Sequence, residues 1–347
     1  MTGLERIRMT LRGECADRVP MFDYLYQKKL FEDTIGVHLE NYDLSSVIDC
    51  AKVLHHDMVA GVTGTDEKFE SVINDNGEYI DEFGTVMLKS DVSWPVDAPV
   101  SFPIHDRDDY KKYKWPDPTA KGRVENLQAG IAKNKDELAV LAGVEGPFIR
   151  AWLLLGPEEL LIQMHTDPEF IKTLVRDSTD YLIAVAKNVL GAGPHIFALA
   201  DDLGYNSGPF MSLPMFHEFF LHEYARLMGT VKIPVFFHSC GHVTPFIPDL
   251  IDLGVAAIHP IQRTAQMDLK SIKERFGRRI TLVGNVDSTT TLPYGSSEDV
   301  EKEVLECLEI GKPGGRYILA SDHSLHDGIS VENIRQLFNT GLKYGRY

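Results

Sequence analysis

Eight short apolar runs recur along this chain with helical segments between them, and that alternation leaves few folds open. The runs are Val19–Tyr24, Met58–Val62, Leu138–Gly143, His195–Ala200, Pro234–Phe237, Ala256–Ile261, Ile280–Gly284 and Tyr317–Ala320. Each is continuous and rich in Val, Ile, Leu or Ala, without polar alternation, as strands buried on both faces of a parallel sheet are. The segments between them carry helix ends. Asp167-Pro168 opens a helix that reaches Leu190 and stops before Gly191, and Ser212 with Pro214 opens another to Met228. Val243–Leu253, Asp268–Phe276 and Ser297–Ile310 are each followed by a glycine, while Asp43–Leu54 and Ser330–Leu342 complete the set. The pattern predicts a (β/α)8 TIM barrel forming a single domain over residues 1–347. A doubly wound sheet is the competitor, but no Gly-rich phosphate loop follows the first run.

One stretch, about residues 64–134, is too long for an ordinary connection. Within it Lys68–Asn74, Glu78–Asp81 and Thr85–Lys89 alternate in polarity, with Asn76-Gly77 and Phe83-Gly84 as turn signals. This predicts a small antiparallel meander inserted between barrel strands two and three, serving as a lid or rim.

Composition narrows the function. Thirty-five basic against 51 acidic residues give a net charge of -16. Such a surface disfavours nucleic acid and anionic membranes. No apolar run is long enough to span a bilayer, and Met1–Glu5 reads as a helix start with Thr2 as its cap, not as a signal peptide. The four cysteines, Cys15, Cys50, Cys240 and Cys307, are too scattered for a disulfide framework, so a reducing cytoplasm is expected.

In a barrel of this kind chemistry collects where strands end at their C-terminal side. After successive runs come Glu145-Gly-Pro, Asp201-Asp202-Leu-Gly-Tyr205-Asn206, His238-Ser-Cys240-Gly, His259-Pro-Ile-Gln262, Asn285-Val-Asp287 and Ser321-Asp322-His323. His238 and Cys240 are two apart, so on a strand they share a face, and imidazole with thiolate is a donor pair that zinc favours. Asp201, Asp202, Asn285 and Asp287 read equally well as loop-forming residues, and His259 before Pro260 reads as structural.

The segments Gly143–Pro147, Ala200–Gly204, Phe237–Gly241, Ile247–Gly254, Gly284–Asp287 and Tyr317–His323 together resemble the uroporphyrinogen decarboxylase superfamily over nearly the whole chain. That resemblance implies a (β/α)8 barrel and two functional branches. One is the metal-free decarboxylation of an octacarboxylate tetrapyrrole. The Arg-rich grip of that branch is missing here, where the matching stretch is Arg18–Lys29 with Asp23 inside it. The other branch comprises zinc-dependent methyltransferases that work with corrinoid proteins, and His238 and Cys240 match its His-x-Cys pair. Its third ligand, usually cysteine, is replaced by His323 or Asp322, since no cysteine lies beyond Cys307.

The resemblance thus implies Zn²⁺ on His238, Cys240 and His323, with Glu145, Asp202 or a substrate atom completing the site. Asp202, Glu145 and Asp322 are the expected catalytic groups, and Asp201, Tyr205, Asn206 and Asn285 the expected substrate-binding ones. The implied reaction moves a methyl group between a small methylated donor (an aryl methyl ether, methylamine or methanol) and a separate corrinoid-binding protein. A homodimer is expected because the family includes dimers.

Overall fold

Seven strands pair in parallel in the order 317–318, 281–283, 255–259, 235–238, 196–200, 139–145 and 58–60, forming one curled sheet in the computed structural model. The structure describes residues 1–90 and 94–347. Residues 91–93 of the expected insertion lie outside the described set.

The expected first strand, Val19–Tyr24, is not a regular strand. The Met21 N–H donates to Asp57 Oδ2 (2.8 Å) rather than to a neighbouring strand, and Pro20 has no N–H, so the ladder shrinks to one bridge between Met21 and Leu319. The segment still links both sheet edges. Asp57 N donates to the Met21 carbonyl on one side, and Phe22 N and the Pro20 carbonyl bond Leu319 on the other. Farther along, Leu25–Tyr26 pairs in parallel with Leu325–His326.

Side-chain alternation divides the core in two. Phe22, Met58, Leu141, Phe236, Ala257, Val283 and Ile318 fill the inside of the curl, where Leu4, Ile7 and Leu11 of the helix Gly3–Arg12 join them. Their sequence neighbours Val59, Val140, Phe237 and Ile258 face outward against the helices.

The helix expected over Ser212–Met228 contains a π-helical turn, His217–Leu221, between the α-helical pieces Leu213–Phe216 and His222–Gly229. A 3₁₀ turn, Thr244–Phe246, precedes Ile247–Asp252. No helix among the described residues is long and apolar enough to cross a membrane.

Between residues 60 and 139 stands a three-stranded antiparallel sheet, Glu78–Ile80, Val86–Leu88 and Ala98–Ser101. Lys68–Asn74 forms no strand. The third strand is Ala98–Ser101, hidden from sequence inspection by Pro99, which an edge strand tolerates. The sheet is fastened down. Arg123 grips Glu82 through two nitrogens (2.7 and 2.8 Å) with both side chains buried, and Thr85 Oγ1 donates to the Leu153 carbonyl.

Candidate functional site

The strand Val235–His238 delivers His238 to its C-terminal end, and the chain turns immediately at Gly241. Gly241 has φ 80°, and a Cβ there would lie 2.1 Å from the Gly204 carbonyl carbon, so only glycine permits this turn. The turn leaves Cys240 on the same side as His238, with Sγ 3.4 Å from Nε2. Asp202, two residues past the strand Ile196–Ala200, approaches from next door. Its Oδ1 accepts the Cys240 N–H (2.8 Å) and lies 3.7 Å from His238 Nε2. Donor atoms of Asp202, His238 and Cys240 lie within 4.8 Å of one another.

This set fits zinc. Bonds of about 2.0–2.3 Å in a tetrahedron space the donors roughly 3.3–3.6 Å apart, close to the edges measured here. The histidine is also held from behind, since His238 Nδ1 is 2.8 Å from His259 Nδ1. When His238 donates its Nδ1–H, Nε2 keeps a lone pair directed at Cys240 and Asp202. His259 is fully buried, stacked on Phe236, and its Nε2 has no hydrogen-bond partner among the described residues. Burial pushes His238 down to about 4 and His259 well below the usual imidazole range. Burial, reinforced by Asp202, pushes the Cys240 thiol up. Burial thus favours neutral imidazoles and the thiol in the metal-free site, whereas a bound cation would favour the thiolate.

The triad opens onto a cavity of about 670 Å³. Tyr24, Tyr26, Trp94, Val62, Leu141, Val144 and Ile149 supply much of its wall, and Glu145, His323, Ser324 and His326 add polar groups.

The sequence-derived candidates divide. His323 reaches this cavity, its ring edge-on to His238 at 6.3 Å between centroids, but its nitrogens stand outside the three-residue donor set and Nδ1 contacts Ser324 Oγ (3.0 Å). Asp202, one of the groups expected to complete the site, supplies the third donor atom of the close set, since it follows a strand adjacent to His238's own. Glu145 lines the cavity while paired to Arg150, whose Nε lies 2.7 Å from Oε1. Asp322 is buried away from it, accepting Ser288 N, Ser288 Oγ and Arg263 N, so it holds a loop and makes no bond to His323.

Asp201 likewise faces the helix layer. It accepts the N–H groups of Phe148 and Ile149 and the Tyr224 hydroxyl, and burial pushes it up to about 7. Asn285 is buried, its amide donating to the Ile261 carbonyl. Tyr205 and Asn206 sit on an exposed turn, outside the cavity lining. Sequence inspection missed Tyr24, Tyr26, Trp94 and His326. Extending the period-two pattern of the first run past Tyr24 would have found Tyr26, which shares Tyr24's face.

Residues 87–344 match the uroporphyrinogen decarboxylase (URO-D) family. Among curated relatives, the methylated-thiol--coenzyme M methyltransferase of Methanosarcina mazei is 24% identical over 64% of this chain and 59% of its own length. The methylcobamide:CoM methyltransferase MtaA of Methanosarcina barkeri is 26% identical over 58% of this chain and 57% of its own. The chain therefore spans less than three-fifths of the curated relatives it matches. A solved methyltransferase from Methanosarcina mazei superposes with a TM-score of 0.74 at 20% identity, covering 99% of both chains, which supports the fold. With more than half of its residues matched, this chain belongs to the uroporphyrinogen decarboxylase family.

Proposed function

We propose that this protein is a zinc-dependent methyltransferase that moves a methyl group between a small methylated donor and a separate corrinoid protein. The observation carrying this reading is the Asp202–His238–Cys240 donor set opening onto a largely apolar cavity. The named methyltransferase relatives support it. We read the fold as a (β/α)8 barrel over residues 1–347, with the segment around Met21 as its first stave and the inserted antiparallel sheet as a rim where the partner docks.

His238, Cys240 and Asp202 would hold the zinc, and His323 is the nitrogen donor on the same wall able to join them. When bound, zinc supplies a Lewis acid for the heteroatom that carries or receives the methyl group, while the corrinoid supplies the electronics of methyl cleavage. The chain's own residues do the rest. His259 fixes the rotamer and tautomer of His238. The Asp202 carboxylate anchors the Cys240 backbone and so the Cys240 side chain. The apolar wall keeps water from the reacting heteroatom and strengthens every charge interaction near it.

The test is methyl transfer from a methoxyarene to cob(I)alamin, read as the methylcobalamin spectrum. Transfer that requires zinc supports the reading. Zinc-independent decarboxylation of uroporphyrinogen, without methyl transfer, would replace it with the other branch of the family.

A further inference from the structure

We infer that the cavity selects an uncharged methyl carrier, a methyl ether or thioether with an apolar or aromatic body, and rejects anionic ones. This rests on the cavity being the substrate site proposed above. No lysine or arginine is among the described residues lining it; the carboxylates there are Glu145 and Asp202. The histidines do not make up the difference. His326 accepts the Gly328 N–H at Nδ1 (3.1 Å) and donates from Nε2 to the Ser288 carbonyl (3.1 Å), so both of its ring nitrogens are already engaged. His238 as a ligand is neutral.

Zinc would not attract anions strongly either. Asp202 and the Cys240 thiolate each bring one negative charge to a divalent ion, so the loaded site carries no net charge. Arg150 and Lys28 approach the wall residues Glu145 and Trp94, but neither opens onto the cavity. Arg150 is 4% exposed, bonded to Glu145 and laid over the Phe83 ring at 3.6 Å. A carboxylate or sulfonate entering here would lose its hydration with no lysine or arginine among the described lining residues to receive it.

The wall offers other partners instead. The rings of Tyr24 and Tyr26 lie 5.3 Å apart, and Tyr24 stands edge-on to His238 at 5.7 Å. Neither phenol hydroxyl bonds a described residue, so both O–H groups can donate to a ligand in the cavity, and Tyr24 is the one placed beside His238.

Binding separates this from the parent reading. Calorimetry on the zinc-loaded protein would compare 2-methoxyphenol with 4-hydroxy-3-methoxybenzoate, and 2-(methylthio)ethanol with 2-(methylthio)ethanesulfonate. The uncharged member of each pair should bind at least about tenfold more tightly. Val62→Arg, which places a cation on the partly open wall, should narrow or reverse both ratios. Equal or tighter binding of the anionic members to the wild type, or ratios unmoved by Val62→Arg, would overturn the inference. If no member of either pair bound, the substrate site itself would be overturned, and the zinc content of the same sample would report separately on the metal.

Discussion

Two aspartates, one at each end of the curled sheet, meet opposite treatment. Asp57 precedes the strand Met58–Ala60 and is saturated. Arg18 forks onto both of its oxygens (2.7 and 3.0 Å), Arg6 adds a bond at 2.9 Å, and Met21 N a fourth at 2.8 Å. Asp202 follows the strand Ile196–Ala200 at the other end and receives one backbone N–H. Among the described residues no arginine or lysine pairs with it; its titratable neighbours are an imidazole and a thiol. A saturated buried carboxylate holds elements in place, whereas a partly exposed one beside a thiol and an imidazole keeps oxygen lone pairs open to a group from outside. In barrels of this type the C-terminal end carries chemistry and the opposite end stability, and the two aspartates follow that division.

Four substitutions would break or sharpen the contrast. The largest effect is expected from Cys240→Ala, which removes the sulfur donor. Zinc content should fall to background and methyl transfer by on the order of 10³- to 10⁴-fold, with the unfolding midpoint of the metal-free protein nearly unchanged. Asp57→Ala should do the reverse. Stranding Arg18 in a buried site costs about 3–5 kcal/mol, measured by denaturant unfolding, while the protein that remains folded binds zinc normally. The neighbouring aspartates 201 and 202 give a finer version. Asp201→Asn should destabilise by about 1–3 kcal/mol, because Phe148 N, Ile149 N and Tyr224 use both of its oxygens and asparagine offers only one. The smallest effect is that of His259→Phe, which keeps the ring packing on Phe236 but removes the nitrogen behind His238. Zinc affinity, titrated against a chelator, should weaken roughly 10–100-fold without loss of fold.

Much of this arrangement was legible from residue spacing. His238 and Cys240 share a face because strands repeat every two residues, and the apolar runs located the sheet strands to within a residue or two. The same rule explains Asp201 and Asp202. Adjacent residues must point to opposite sides, but nothing in the sequence says which one points inward. Proximity across the sheet was not legible. Asp202 lies nearer than His323 to the His238–Cys240 pair because the strand Ile196–Ala200 pairs directly with Val235–His238, whereas His323 arrives from a segment that does not. The first stave was misjudged for a chemical reason, since Asp57 captures the Met21 N–H that a regular ladder would have used. Asp322 looked catalytic beside His323, yet its oxygens are taken by Ser288 and Arg263, contacts made across the fold.

The most direct test is X-ray absorption at the zinc edge on purified, zinc-loaded protein, with the Cys240→Ala variant alongside. One zinc per chain with a single sulfur neighbour at about 2.3 Å and nitrogen or oxygen neighbours at about 2.0–2.1 Å is the expected result, the sulfur shell vanishing in the variant. A protein that retains no zinc, or one whose zinc has no sulfur neighbour, would contradict the account.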